Sequence, residues 1–204
     1  MIAIIDYDIG NLGAVASMLH RLGVPSRITA DPTEIERAER LILPGNGSFD
    51  ACMRALRATG LESLLNRRVQ VDRTPLLGIC VGAQMLGAGS EEGQEPGLGW
   101  LPMRSRRFPA LPGLRVPHMG WNEVTPARPG DPRLAGQSVD ARFYFVHSYY
   151  LAPEDAADVL LWANYGIDFA AAVARGNIMG VQFHPEKSHR YGKQLLGRFA
   201  GGEA

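Results

Sequence analysis

Thr74-Pro-Leu-Leu-Gly-Ile79, then Cys80, then Val81-Gly-Ala-Gln84 is the segment on which the fold turns. A short apolar run next to a proline reads as a buried strand, and a helix is expected to follow through Gln84, Met85 and Leu86. A buried strand feeding a helix is the repeating half of a parallel α/β sheet. The same alternation recurs on the N-terminal side. Residues 2–5 (Ile-Ala-Ile-Ile) read as a strand, and Leu12, Val15, Ala16 and Leu19 carry helical spacing within Asn11–Leu22, with Gly23 as its stop. Arg40-Leu-Ile-Leu-Pro44 reads as another strand, followed by the turn Gly45-Asn46-Gly47, and Ser48 suits the cap of a helix through about Ala58. On the C-terminal side, residues 91–133 are rich in Pro and Gly and suggest loops and short antiparallel strands. Phe143–Val146 and Ile178–Gln182 read as strands and Tyr191–Phe199 as a helix. The expectation is one α/β domain over residues 1–204: a mostly parallel central sheet flanked by helices, plus a smaller antiparallel portion.

The 204 residues, 46% hydrophobic, suffice for one core. Lys plus Arg (21) equals Asp plus Glu (21), so no basic footprint for nucleic acid stands out. The apolar run after Met1 ends at Asp6, too short for a signal segment or a membrane span; a cytoplasmic protein is expected. Two cysteines, Cys52 and Cys80, do not make a disulfide framework, and no His/Cys cluster has metal-ligand spacing.

Cys80 stands where strand meets helix, the layout of a nucleophile elbow. Gly78 and Gly82 supply the small neighbours such a turn needs. A helix N-terminus favours a thiolate, and its amides, from Val81 on, suit an oxyanion. The elbow pattern alone admits a second reading, a buried structural thiol. Cys52, inside a helical stretch, reads as structural. A thiol nucleophile needs a base, and the base an orienting group. His184-Pro185-Glu186, ending an apolar strand, offers both. Among the other histidines, His20 reads as helical and structural, His147 as a strand end able to line a cleft, and His118 and His189 lack an acid in a comparable setting.

Gly78-Ile-Cys-Val-Gly-Ala-Gln84 together with His184-Pro-Glu186 resembles the class I (triad-type) glutamine amidotransferases, over nearly the whole chain. Within that family the likeness is greatest to glutaminase subunits of imidazole glycerol phosphate synthase. Pro117-His-Met-Gly-Trp-Asn-Glu-Val124 is the most discriminating segment; Ile5–Leu12, Leu43–Phe49, Ser90–Gly93, Tyr144–Ser148 and Val181–Ser188 support it. The resemblance implies that Cys80 attacks the carboxamide of L-glutamine, His184 protonates the departing ammonia and Glu186 orients the imidazole. Water then hydrolyses the glutamyl thioester, and no cofactor is called for. It implies an oxyanion site in the amides of Gly45, Asn46, Gly47 and Val81, and substrate contacts from Gln84, Ser148 and Tyr149. It also implies a heterodimer in which ammonia passes to a (β/α)8-barrel cyclase of histidine biosynthesis, across an interface that includes Asn11, Trp121, Asn122, Tyr144 and Lys187. Read without the resemblance, Trp121 and Tyr144 are core aromatics, Lys187 is a solvated charge and Gln84 is a helix-surface residue.

Some positions depart from the family pattern: Asn46 where valine is common, and Asp8 and Gly13-Ala14 where Gly and Arg-Ser are usual. Gly97–Trp100, His147–Tyr150 and Tyr165–Asp168 resemble a related branch that feeds ammonia to sugar-amidating synthases. A stand-alone γ-glutamyl hydrolase of the same fold is the other alternative.

Overall fold

The computed structural model describes residues 1–138 and 140–201. Strand β1 (Ile2–Ile5) is buried along its whole length, as a strand covered on both faces must be. It lies parallel to β2 (Ser26–Thr29) on one side and β3 (Arg40–Gly45) on the other. Beyond β3 come β4 (Leu76–Cys80) and β12 (Ile178–Val181), both parallel. The sheet then continues antiparallel through β11 (Asp168–Arg175), β10 (Val159–Asn164) and β7 (Thr125–Pro126), while β9 (Tyr149–Pro153) pairs with β11 and β5 (Met103–Arg107). A separate antiparallel ribbon joins β6 (His118–Glu123) to β8 (Arg142–His147).

Helices cover the parallel half. In α1 (Leu12–Arg21) Val15, Met18 and Leu19 face the core. Ser48 caps α3 (Phe49–Ala58) by accepting from the Ala51 N–H, and Asp31 caps α2 (Pro32–Arg37). Helices α4 (Glu62–Asn66), α5 (Val81–Gln84) and α6 (His189–Phe199) complete the set. The expected helix after Cys80 is shorter than its sequence suggests, ending at Gln84 rather than running through Leu86. The carbonyls of Met85, Leu86 and Gly87 accept instead from residues 98–101, which draws the chain out of the helix.

Strands β3, β4 and β12 end side by side, so the turn after β3, Cys80, and residues 182–184 gather at one carboxyl edge, the usual place for a ligand in such sheets. Backbone packs on backbone there. A Cβ on Gly82 would lie 2.0 Å from the Leu43 oxygen, and one on Gly78 2.8 Å from the Ala83 Cα. Gly82→Ala is expected to cost about 3 kcal/mol. For a domain of this size that lowers Tm by roughly 6–12 °C, readable by calorimetry.

Candidate active site

Cys80 closes β4 with φ 55° and ψ −116°, in the left-handed half of backbone space that a side chain rarely adopts. Such strain persists only where surrounding structure imposes it; here Gly45 pairs with Cys80 across β3 and Gly82 is wedged against Leu43. Because α5 is one turn long, its contribution at the thiol is a few local N–H groups rather than an extended helix dipole.

His184 follows β12, the strand beside β4. Its Nδ1 lies 2.8 Å from Glu186 Oε1, and both side chains are buried. Its Nε2 is buried without a hydrogen-bond partner. Burial alone would lower the imidazole pKa, but the Cys80 sulfur and Glu186 outweigh it and raise the value to about 9. Asn11 stands at the N-cap of α1 without capping it; its amide donates instead to Glu186 Oε1 at 3.3 Å. A residue expected at an interface therefore also touches the His184–Glu186 pair.

Above Cys80 lies a cleft of about 230 Å³, lined among others by Asn46, Gly47, Val81, Gln84, Ser148 and Tyr149. This is below the roughly 300–1,000 Å³ of drug-sized sites and on the scale of one amino acid. Gly45 lies buried beneath it. The Gly47 N–H is occupied by the Asn46 side chain at 3.0 Å, so of the expected oxyanion donors it is already engaged. The turn is tethered from below: the Tyr7 hydroxyl donates to the Pro44 carbonyl, and the Cys52 thiol to the Asn46 carbonyl at 3.3 Å. Burial pushes both Tyr7 and Cys52 up from their ordinary values, keeping them protonated donors. Cys52 is thus structural, and what it supports is the turn.

Gln84 is buried, not a helix-surface residue. Its Nε2 donates to the Tyr149 carbonyl (3.1 Å) and to Gln182 Oε1 (3.0 Å), and Gln182 Nε2 lies 3.8 Å from Cys80 Sγ. The Tyr149 carbonyl also meets His147 Nδ1 at 2.8 Å, while the Ser148 carbonyl accepts from the Phe108 N–H. Both carbonyls of this segment, expected at a substrate, are thus engaged within the protein. His147 Nε2 is 2.9 Å from His118 Nδ1, and His118 Nε2 is 3.3 Å from Asn122 Nδ2. Burial lowers the pKa of His118 to about 4 and that of His147 to about 3, so both rings are neutral. Gln182, His118, Tyr7 and Glu92, which also borders the cleft, were not singled out as site residues in the sequence. Each lies inside a family-like segment (Val181–Ser188, Pro117–Val124, Ile5–Leu12 and Ser90–Gly93, respectively), which is the signal the sequence carries for it.

The outer face of the β6–β8 ribbon is exposed: Met119 is 62% and Trp121 44% accessible. Trp121 is therefore no core aromatic. It stacks on His189 at 5.5 Å and meets Tyr144 edge-on, and the Lys187 ammonium stands 5.9 Å from the Tyr144 ring centre. Asn122 points to the opposite face, toward His118 and the Asn164 carbonyl. His20 is exposed on α1. Among the described residues no group of three or more His, Cys, Asp or Glu side chains is placed to hold a metal, and no helix is long and apolar enough to cross a membrane.

The family description "Glutamine amidotransferase class-I" matches residues 3–200. The chain is 52% identical to "Imidazole glycerol phosphate synthase subunit HisH 2" of Pseudomonas aeruginosa, covering 98% of each chain. It is 46% identical to the HisH subunit of Bdellovibrio bacteriovorus over 98% of this chain and 99% of that one. Among solved structures it is similar in fold to a glutamine amidotransferase (TM-score 0.72, 21% identity, 98% and 100% covered). It is likewise similar to PurLQS from Thermotoga maritima (TM-score 0.75, 18% identity, 98% and 97% covered). The chain belongs to the class-I glutamine amidotransferase family.

Proposed function

We propose that this protein is a glutaminase subunit: it hydrolyses L-glutamine to glutamate and ammonia at Cys80 and passes the ammonia to a (β/α)8-barrel cyclase that makes imidazole glycerol phosphate in histidine biosynthesis. The observation that carries the chemistry is Cys80 on its strained turn, beside the buried His184–Glu186 pair, at the floor of an amino-acid-sized cleft. Cys80 passes its thiol proton to His184 Nε2, and its Sγ attacks the side-chain carbonyl carbon of glutamine. The oxyanion is stabilised by the Val81 N–H and by the Gly45 and Asn46 amides of the turn, the Gly47 N–H being held by the Asn46 side chain. As the C–N bond breaks, His184 donates its proton to the departing nitrogen, leaving a glutamyl thioester. His184 then takes a proton from water, which attacks the thioester, releases glutamate and restores the thiol.

The relatives' names as synthase subunits and the exposed ribbon face support this partner. Trp121 and Met119, with Tyr144 and Lys187 beside them, have the aromatic-plus-cation make-up of an interface anchor. The test is glutamate release from glutamine with and without the cyclase subunit encoded in the same genome. Release is expected to be weak alone and stimulated in the complex. Trp121→Ala should weaken association by at least about 2 kcal/mol, roughly thirtyfold in Kd by titration calorimetry. A cyclase that neither binds nor stimulates would reassign the acceptor of the ammonia.

A further inference from the structure

We infer that Gln182 is a positioning residue of the glutaminase reaction proposed above: one atom of its carboxamide sets the orientation of Gln84, and the other reaches the Cys80 sulfur. Gln182 is fully buried just past the end of β12, between two side chains that line the cleft. The directions of its hydrogen bonds follow from one obligate acceptor. The Tyr149 carbonyl can only accept, so the NH2 end of Gln84 must face it at 3.1 Å, and His147 must carry its proton on Nδ1, 2.8 Å away. The second hydrogen of Gln84 Nε2 goes to Gln182 at 3.0 Å, which makes that atom of Gln182 the oxygen. The NH2 end of Gln182 is then the one 3.8 Å from Cys80 Sγ.

The same logic runs outward. With its proton on Nδ1, His147 accepts at Nε2 from His118 Nδ1–H (2.9 Å); His118 Nε2 in turn accepts from Asn122 (3.3 Å), which also donates to the Asn164 carbonyl (2.8 Å). Every member of the chain has one orientation that satisfies it, so none turns alone without stranding a buried polar group, at a cost of about 1–3 kcal/mol.

Two properties of the cleft result. Both amide hydrogens of Gln84 are spent inside the protein, so the atom it has left for a ligand is Oε1, an acceptor. It selects a donor, such as the α-ammonium of glutamine, and a reversed amide would repel that group. The Gln182 N–H, in turn, bonds more strongly to a thiolate than to a thiol.

Two substitutions separate these roles. Gln182→Glu keeps an oxygen for Gln84 but replaces the donor at sulfur with a charge. Gln182→Leu removes both contacts, and Gln182→Met repeats that test with an unbranched side chain should leucine fail to pack. The readouts, with the cyclase subunit present, are KM and kcat for glutamine and the pH midpoint of Cys80 alkylation by iodoacetamide. Gln182→Glu is expected to leave KM within about twofold of the parent while moving the midpoint up by about one pH unit. Gln182→Leu is expected to raise KM about tenfold, one lost hydrogen bond's worth, and to move the midpoint as well. Equal KM changes in the two variants, or a midpoint that stays with the parent in both, would overturn the assignment. A parent protein without Cys80-dependent glutamate release would instead sink the glutaminase reading.

Discussion

Replacing Cys80 with alanine lowers glutamine hydrolysis by at least about 10⁴-fold, since deleting the nucleophile of a triad leaves only binding and oxyanion stabilisation. The loss is chemical rather than structural. Alanine keeps the Cβ, so the strained turn at φ 55° and its packing against β3 are retained, and only the sulfur is removed. Unfolding temperature should stay within a few degrees of the parent, and glutamine should still bind, because the Gln84 contacts to Tyr149 and Gln182 are untouched. A glutamate-release assay in the presence of the cyclase gives the rate. A variant that retains the parental rate removes Cys80 from the chemistry.

Glu186→Gln is expected to lower the rate by roughly 10³-fold, somewhat less than the loss from an equivalent change in a serine-protease triad. The carboxylate accepts from His184 Nδ1 at 2.8 Å; an amide there can turn its NH2 toward the ring and impose the wrong tautomer. It also removes one of the groups that hold the imidazole at about 9, so the variant ring should lose its proton at lower pH, as ¹³C-labelled histidine would report by NMR. The sign for stability follows from the same value. Folding raises the histidine pKa above the roughly 6.5 of the unfolded chain, so this contribution is fully present below about pH 6.5 and is lost as pH rises through about 9. The stability gap between parent and variant should narrow across that window. A gap independent of pH would contradict the assignment of Glu186.

The parallel half of the fold was legible because its strands are uninterrupted apolar runs and its helices carry clear spacing and caps. The antiparallel half was less so. Residues 169–174 (Phe-Ala-Ala-Ala-Val-Ala) carry a helix former's composition, yet they form the buried centre of β11, where small side chains let neighbouring elements approach. Strand β2 (Ser-Arg-Ile-Thr) is an edge strand with two exposed residues and no apolar run. Within the site, Cys80 and His184-Pro-Glu186 could be found because each sits at the end of a readable strand. The Gln84–Gln182 and His118–His147 pairs could not, since their partners lie 98 and 29 residues apart in sequence and a lone buried glutamine or histidine has no periodicity to betray it.

The close approach of Gly45 to the elbow also has a mechanical meaning. A Cβ on Gly45 would lie 2.3 Å from the Gly82 nitrogen, so the end of β3 and the Cys80 turn move as one body. The Pro44 and Asn46 carbonyls are moored by Tyr7 and Cys52. The compliant joint of the turn is therefore its exposed tip at Asn46–Gly47, where Gly47 sits at φ +86° and a single side-chain hydrogen bond acts as the latch. Force applied to the turn by a ligand or a neighbouring protein would be dissipated at that joint, leaving Cys80 where the sheet holds it.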